Sequence, residues 1–326
     1  MHRHRIALLL ALMVGAPALP ASLARAADAP YPSKPIRLVV TLAPGGPLDL
    51  FARLIGKGLQ SRLGQPVVVE NKPGAASRIA IEAVLQAPPD GYSLLAAGGS
   101  ITTLPVFVKG LNFDVMRDLT PVTIAADAQQ IVLINGTLPA KTLAEFVAYA
   151  KANPRKANYG SLGKTPIMLA VEAFQRMAGI QMTEVPYKSS AELLTALSRN
   201  DVQFVLTAYE LAAPQIASGA ARALAAVGNL RLKAAPGLPA LSELGYGGVR
   251  LPGWYAIVTR AGTPKAVIDA LYAEIAKDLQ QPDTVSKIEA MGSRVIALTP
   301  EQSRERMAAE AQYWTAIARE VNLQPE

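Results

Sequence analysis

The sequence predicts an α/β fold with mainly parallel sheets. Short runs rich in β-branched residues alternate with stretches of helical periodicity, the pattern of repeated βα units. Clusters of Gly, Pro and Asp separate the runs and reverse the chain. With 326 residues, 51% hydrophobic and 17% charged, the chain can bury a core sized for about two domains.

Residues 1–26 stand apart from this pattern. Arg3 and Arg5 precede an apolar run from Ile6 to Ala16, and Ala24-Arg25-Ala26 closes the segment with a small-x-small site. This arrangement predicts a cleaved secretory signal peptide, with the mature chain beginning near Ala27. No later run reaches the roughly 18 uninterrupted apolar residues that a membrane span needs.

Ile36 to Leu42 reads as the first strand, and Phe51, Leu54, Ile55 and Leu59 mark the helix after it. Pro66 to Glu70 is a second strand, and a turn at Pro89-Asp90-Gly91 leads into a third. From about residue 130 the scheme restarts. Thr142 and Glu145 have capping-box spacing and open a helix that stops before Asn153-Pro154. A strand ends in the Gly-rich stretch Gly160–Thr165, and the helix beyond it stops at Gly179. A strand, a loop and a helix follow, with Ser189 and Glu192 again spaced as a cap. Residues 201–208 and 222–228 are further strands, and Thr299, Pro300 and Gln302 start a long amphipathic helix containing Trp314. No Pro/Ser-rich linker divides the two sets, so short crossings are expected to join them.

Charge and residue usage exclude several function classes. Loss of Arg3, Arg5 and Arg25 with the signal lowers the formal charge from +7 to about +4. No Lys/Arg cluster marks a nucleic-acid footprint. His2 and His4 leave with the same segment, and the chain has no Cys. Ser-His-Asp and thiol nucleophiles, an imidazole base, and imidazole or thiolate zinc sites are thereby excluded. Gly160–Thr165 resembles a P-loop only superficially, because Asn158 stands where the first glycine of that motif belongs. No EF-hand calcium loop occurs either, and no cofactor is expected. Binding is the leading class.

Three glycine-rich loops, Pro44–Asp49, Gly98–Ser100 and Gly160–Thr165, each follow a predicted strand. Ligands of open α/β sheets bind beyond the carboxyl ends of strands. Glycines there let backbone amides approach a ligand, and a helix N-terminus favours negative charge. A small anion such as a carboxylate is the implied ligand. Asp49 could hold a ligand or cap the first helix, Lys188 could neutralise an acid, and Trp254 and Tyr255 could flank a pocket or pack in the core.

The ordered blocks YPSKPIRLVV, APGGPLDLFAR, LGQPVVVENKPGA, PDGYSLL, PAKTLAEFVAYAKANP, YGSLG, VPYKSSAELLTAL and GTPKAVIDAL run from Tyr31 towards the C-terminus. Through them the chain resembles the Bug family of periplasmic solute receptors, the binding components of tripartite tricarboxylate transporters. The resemblance implies a type II-like periplasmic binding protein whose two α/β lobes close on a ligand. Residues 27–127 and 251–326 would form the first lobe and 128–250 the second. The family's carboxylate-holding loops map onto Pro44, Gly45, Gly46, Pro47, Leu48 and Asp49, onto Ser100, and onto Gly160, Ser161, Gly163 and Lys164. Thr165, Tyr187 and Thr207 join them from the ends of predicted strands.

Several positions depart from the family pattern. Leu48 replaces a frequent Thr, Ser189 follows Val185-Pro186-Tyr187-Lys188 where Gly is usual, and Gln203 replaces an Asp. Lys164-Thr165-Pro166 stand where a Ser and a His often follow. On the family pattern these changes lie close to where the distal part of a ligand would sit. Lys164 is expected either to face the cleft and pair with a second acidic group, favouring dicarboxylates, or to lie on the loop's solvent side. The implied partners are a small carboxylate and the subunits of a membrane permease, with the receptor itself a monomer and not an enzyme. Presentation of ligand to a periplasmic sensor kinase is an alternative. A carboxylate-active enzyme using Asp49 or Lys188 is a third reading, disfavoured by the missing His and Cys.

Overall fold

Burial on both faces makes a strand of the first apolar run. In Ile36–Val40 (β1), Leu38 and Val40 pack on one side against Phe51 and Ile55 of the helix Pro47–Leu63. Val39 packs on the other against Ile81 and Val84 of the helix Arg78–Leu85. A near-continuous hydrophobic strand between two helical layers is what such burial requires. The computed structural model describes residues 31–325 except Arg155 and Lys164, so the signal segment lies outside the described residues.

The remaining strands are Val67–Asn71 (β2), Ser93–Gly98 (β3), Leu119–Ala128 (β4), Gln130–Asn135 (β5), Asn158–Ser161 (β6), Thr183–Pro186 (β7), Phe204–Ala208 (β8), Ala221–Ala226 (β9), Trp254–Arg260 (β10) and Ser293–Val295 (β11). They form two sheets, one ordered β11-β4-β10-β3-β1-β2 and the other β7-β6-β8-β5-β9. The sheets are mixed, which corrects the expectation of mainly parallel pairing. β1 runs parallel to β2 and β3, and β6 to β7 and β8, while β10 and β5 pair antiparallel with both of their neighbours. The reason is connectivity. The chain leaves the first sheet after β4 and re-enters it as β10, which slots between β3 and β4 in the opposite sense.

Only Gln129 separates β4 from β5. Its N–H donates to the Gly292 carbonyl at 3.0 Å, and its own carbonyl accepts from the Tyr209 amide at 3.2 Å. The return passage runs beside it, and the Gly253 carbonyl accepts from the Ala128 amide. A Cβ on Gly253 would sit 3.0 Å from the Ala128 carbonyl, so the two passages approach as closely as glycine allows.

The helix Pro300–Glu320 starts with a reciprocal cap, in which Gln302 N–H donates to Thr299 Oγ1 at 3.2 Å and Thr299 N–H to Gln302 Oε1 at 3.0 Å. Met307 packs with Leu119 and Trp254 of the first sheet, whereas Trp314 and Ala318 are buried with Phe174 and Phe204 of the second half. The helix therefore belongs to both cores.

Between β2 and the next helix, Ala75, Ala76 and Ser77 have φ of 45°, 51° and 77°. Three successive non-glycine residues in the left-handed region cost roughly 1–2 kcal/mol each. Ala76→Gly is expected to raise stability by about 1 kcal/mol after its larger unfolded-state entropy is counted. A rise of about 2 °C in thermal midpoint would register it, and a fall would show that the turn is unstrained.

Candidate functional site

The loop after β1 is held by Asp49. This residue is buried in the first turn of the helix Pro47–Leu63, whose N-cap is Gly46 rather than Asp49 itself. One carboxylate oxygen accepts from the Gly45 amide at 2.9 Å and from Arg53 Nε at 3.0 Å, and the other accepts from Asn71 Nδ2 at 2.8 Å. Burial pushes the Asp49 carboxyl up, but the hydrogen bonds from Arg53, Gly45 and Asn71 outweigh it and hold the group below the usual carboxylate range. The Gly45 amide is thus engaged inside the protein by Asp49, a use that its place in the loop does not announce. Gly45 also serves the turn, at φ 85°.

What the loop can offer a ligand is the start of its helix. The amides of Leu48 and Asp49 lie in the first turn, where no intrahelical acceptor exists, and Gly46 precedes them. Pro47 has no N–H, and its fixed φ suits the first helical position. Leu48 points its side chain into the core at 1% exposure, so its backbone alone is available. Ser100 is exposed just beyond β3, with its carbonyl accepting from Thr103 Oγ1 at 2.7 Å.

In the second sheet the expected loop residues separate. Gly160 is buried, and a Cβ there would lie 2.1 Å from Leu193 Cδ1, so this glycine serves strand-to-helix packing. Ser161 Oγ donates to Glu184 Oε1 at 2.5 Å and accepts from the Gly163 amide at 3.0 Å. Gly163 turns the loop at φ 76°. Thr165 precedes the helix Pro166–Ala178, and its Oγ1 is buried without a partner among the described residues. Thr207 is buried near the carboxyl end of β8. Tyr187 instead shares a surface depression with Thr195, Arg199 and Asp201. Gln203 precedes β8, at the end of the strand opposite Thr207, and accepts from the Asn158 amide at 2.8 Å. Lys188 is exposed, and Lys164 falls outside the described residues.

Glu210 and Tyr255, from the two sheets' strands and their ends, stand close enough for the Glu210 charge to act on the Tyr255 phenol. Glu210 lies in the first turn after β8, and its carboxylate rests against Gly292, where a Cβ would come within 1.9 Å of it. Burial raises the Glu210 carboxyl above its ordinary value. Tyr255 packs on Phe51 with ring centroids 5.5 Å apart, and burial, with the Glu210 charge second, pushes its phenol up to about 12. Tyr255 was legible as a pocket-or-core residue; Glu210 carried no local signal. Trp254, on the opposite face of β10, is fully buried and donates from Nε1 to Glu310 at 2.7 Å. A cavity of about 420 Å³ lies on that side, bounded by Asp127–Gln130, residues 227–232, Arg250–Gly253 and the C-terminal helix. None of the loop residues expected to hold a ligand lines it.

The model of the tripartite tricarboxylate transporter family receptor matches residues 51–323. The chain belongs to that family. This receptor is 32% identical to protein BugT of Bordetella pertussis over 299 residues, 89% of this chain and 90% of that protein. Its fold matches R. palustris Rpa4515 with adipate at a TM-score of 0.76 and 28% identity, covering 91% of this chain and all of the other. It also matches MatC from Rhodopseudomonas palustris with bound malate at a TM-score of 0.71 and 26% identity, covering 88% and 100%. The family is one of solute-binding receptors, not of enzymes.

Proposed function

We propose that the mature receptor works in the periplasm, capturing a small carboxylate between its lobes and delivering it to a tripartite permease. The observation that carries this is the start of the helix Pro47–Leu63. Free first-turn amides stand there at the carboxyl end of β1, in a loop that Asp49 fixes from behind. Burying a carboxylate costs free energy unless several donors meet it, and charge-assisted hydrogen bonds contribute about 1.5–3 kcal/mol each. Amides already fixed in the loop supply them with little ordering cost. The adipate and malate of the two structural relatives support the ligand class.

The lobes would be 27–127 with 251–326, and 128–250. Gln129 and the adjacent return passage are the pivot, and ligand contacts to both lobes favour the closed arrangement. Ser100, Thr165 and Thr207 are the side chains best placed to touch the solute.

A thermal-shift series with mono-, di- and tricarboxylates tests the proposal. A cognate acid at about 100 times its Kd should stabilise by about 2.7 kcal/mol and raise the midpoint by several degrees. A flat response to all such acids, with a clear response to neutral or cationic solutes, would overturn the carboxylate assignment.

A further inference from the structure

We propose that the cavity behind the interlobe crossings is a second binding site, for a small oxyanion. Its volume of about 420 Å³ is within the range of small-molecule pockets. Both crossings line it side by side, through Asp127–Gln130 and through Arg250, Leu251 and Gly253, so its occupant touches the segments about which the lobes would move.

The charge arrangement selects the ligand. Three arginines, Arg250, Arg294 and Arg306, and two acids, Asp127 and Glu310, line the cavity. Both acids lie within ion-pair distance of arginines. Asp127 pairs with Arg294 at 3.1 Å and with Arg306 at 2.7 Å. Glu310 accepts from Trp254 Nε1 at 2.7 Å and from Arg306 Nε at 3.3 Å. Arg250 has no carboxylate partner among the described residues, and its guanidinium stands 5.3 Å from the centre of the Tyr313 ring. Arg294 Nε is a further donor, buried without a hydrogen-bond partner among the described residues. The cavity thus has one cation in excess, on an exposed arginine at its edge.

A guanidinium fork matches the paired oxygens of a carboxylate or phosphate, and it binds them more strongly than a neutral donor would. The side chains of Gln129, Gln130 and Asn229 offer amide donors. Val227, Leu232 and Leu251 line an apolar part of the wall, where a short hydrocarbon body would fit. The occupant is either an inorganic oxyanion or a small organic acid, and the shared requirement is the oxyanion.

The test uses the mature chain with inorganic phosphate and, separately, hexanoate, titrated by calorimetry at constant ionic strength set with chloride. Constant salt holds weak surface pairing equal across the series. The expected result is saturable binding of at least one anion that Arg250→Gln weakens by about tenfold and Arg250→Lys by less, because lysine keeps the charge but loses the fork. Trp254 fluorescence gives an independent readout, since its indole bonds to cavity-lining Glu310. Phosphate binding alone would identify an inorganic occupant, and Arg250-dependent hexanoate binding an organic one. Absence of saturable binding by both anions, or binding that both Arg250 variants leave within about twofold, would overturn the proposal.

Discussion

Asp49→Ala is expected to lower affinity for the cognate solute by about tenfold or more and to cost about 2 kcal/mol of stability. Both losses have one origin. Asp49 joins the Gly45 amide, Arg53 and Asn71, three groups from the loop, the helix and the end of β2. Removing the carboxylate leaves the Gly45 amide without its acceptor and frees the turn that sets where the Gly46, Leu48 and Asp49 amides stand. Asp49→Asn retains the shape and one acceptor, so it should show a smaller version of both effects. The pH dependence has a defined sign. Because the folded carboxyl titrates below its unfolded value of about 3.9, its stabilisation is complete above that range and is lost as the pH falls through the lower folded value. Calorimetric affinity and a denaturant melt of each variant check this. If Asp49→Ala kept full affinity while losing stability, the loop would not be the carboxylate's seat.

Local rules carried most of the fold. Thr142, Ser189 and Thr299 each accept a backbone hydrogen bond from the residue three positions on, as their spacing predicts. Gly179 ends its helix in the left-handed conformation, at φ 63°. What the spacing could not show was long-range pairing. Nothing local in Trp254–Arg260 says that it runs antiparallel between β3 and β4, because an inserted strand and a neighbouring one share the same composition. The site was legible to a similar degree. The Pro44–Asp49 loop was recognisable from its glycines, but the use of Gly45 by Asp49 depends on side-chain geometry. Gly160 reads as a ligand-facing glycine, and Leu193 packs against it in a contact that no local pattern announces. Glu210 was invisible because its environment comes from Gly292 and Tyr255, both distant in sequence.

Trp314→Ala should destabilise the protein by about 3–5 kcal/mol, the largest effect of any substitution considered. The side chain is fully buried, packs edge-on to Tyr313 at 4.8 Å, and fills the core around Phe174 and Phe204 from a helix whose first turns lie on the other sheet. Truncation would leave a cavity too enclosed to collapse, and a drop of roughly 2–4 °C per kcal/mol would bring the midpoint down by about 10 °C. Trp314→Phe separates bulk from polarity. The indole N–H is buried without a partner among the described residues, so phenylalanine loses some packing but removes that unmet donor, and its net cost should be about 1 kcal/mol. Thermal denaturation of the two variants side by side measures the difference. If Trp314→Ala cost less than about 1 kcal/mol, the end of the helix would not be sealing the second core. A cost in the expected range would show that the end of this helix seals the second core, while Met307 earlier in the same helix packs on the first sheet.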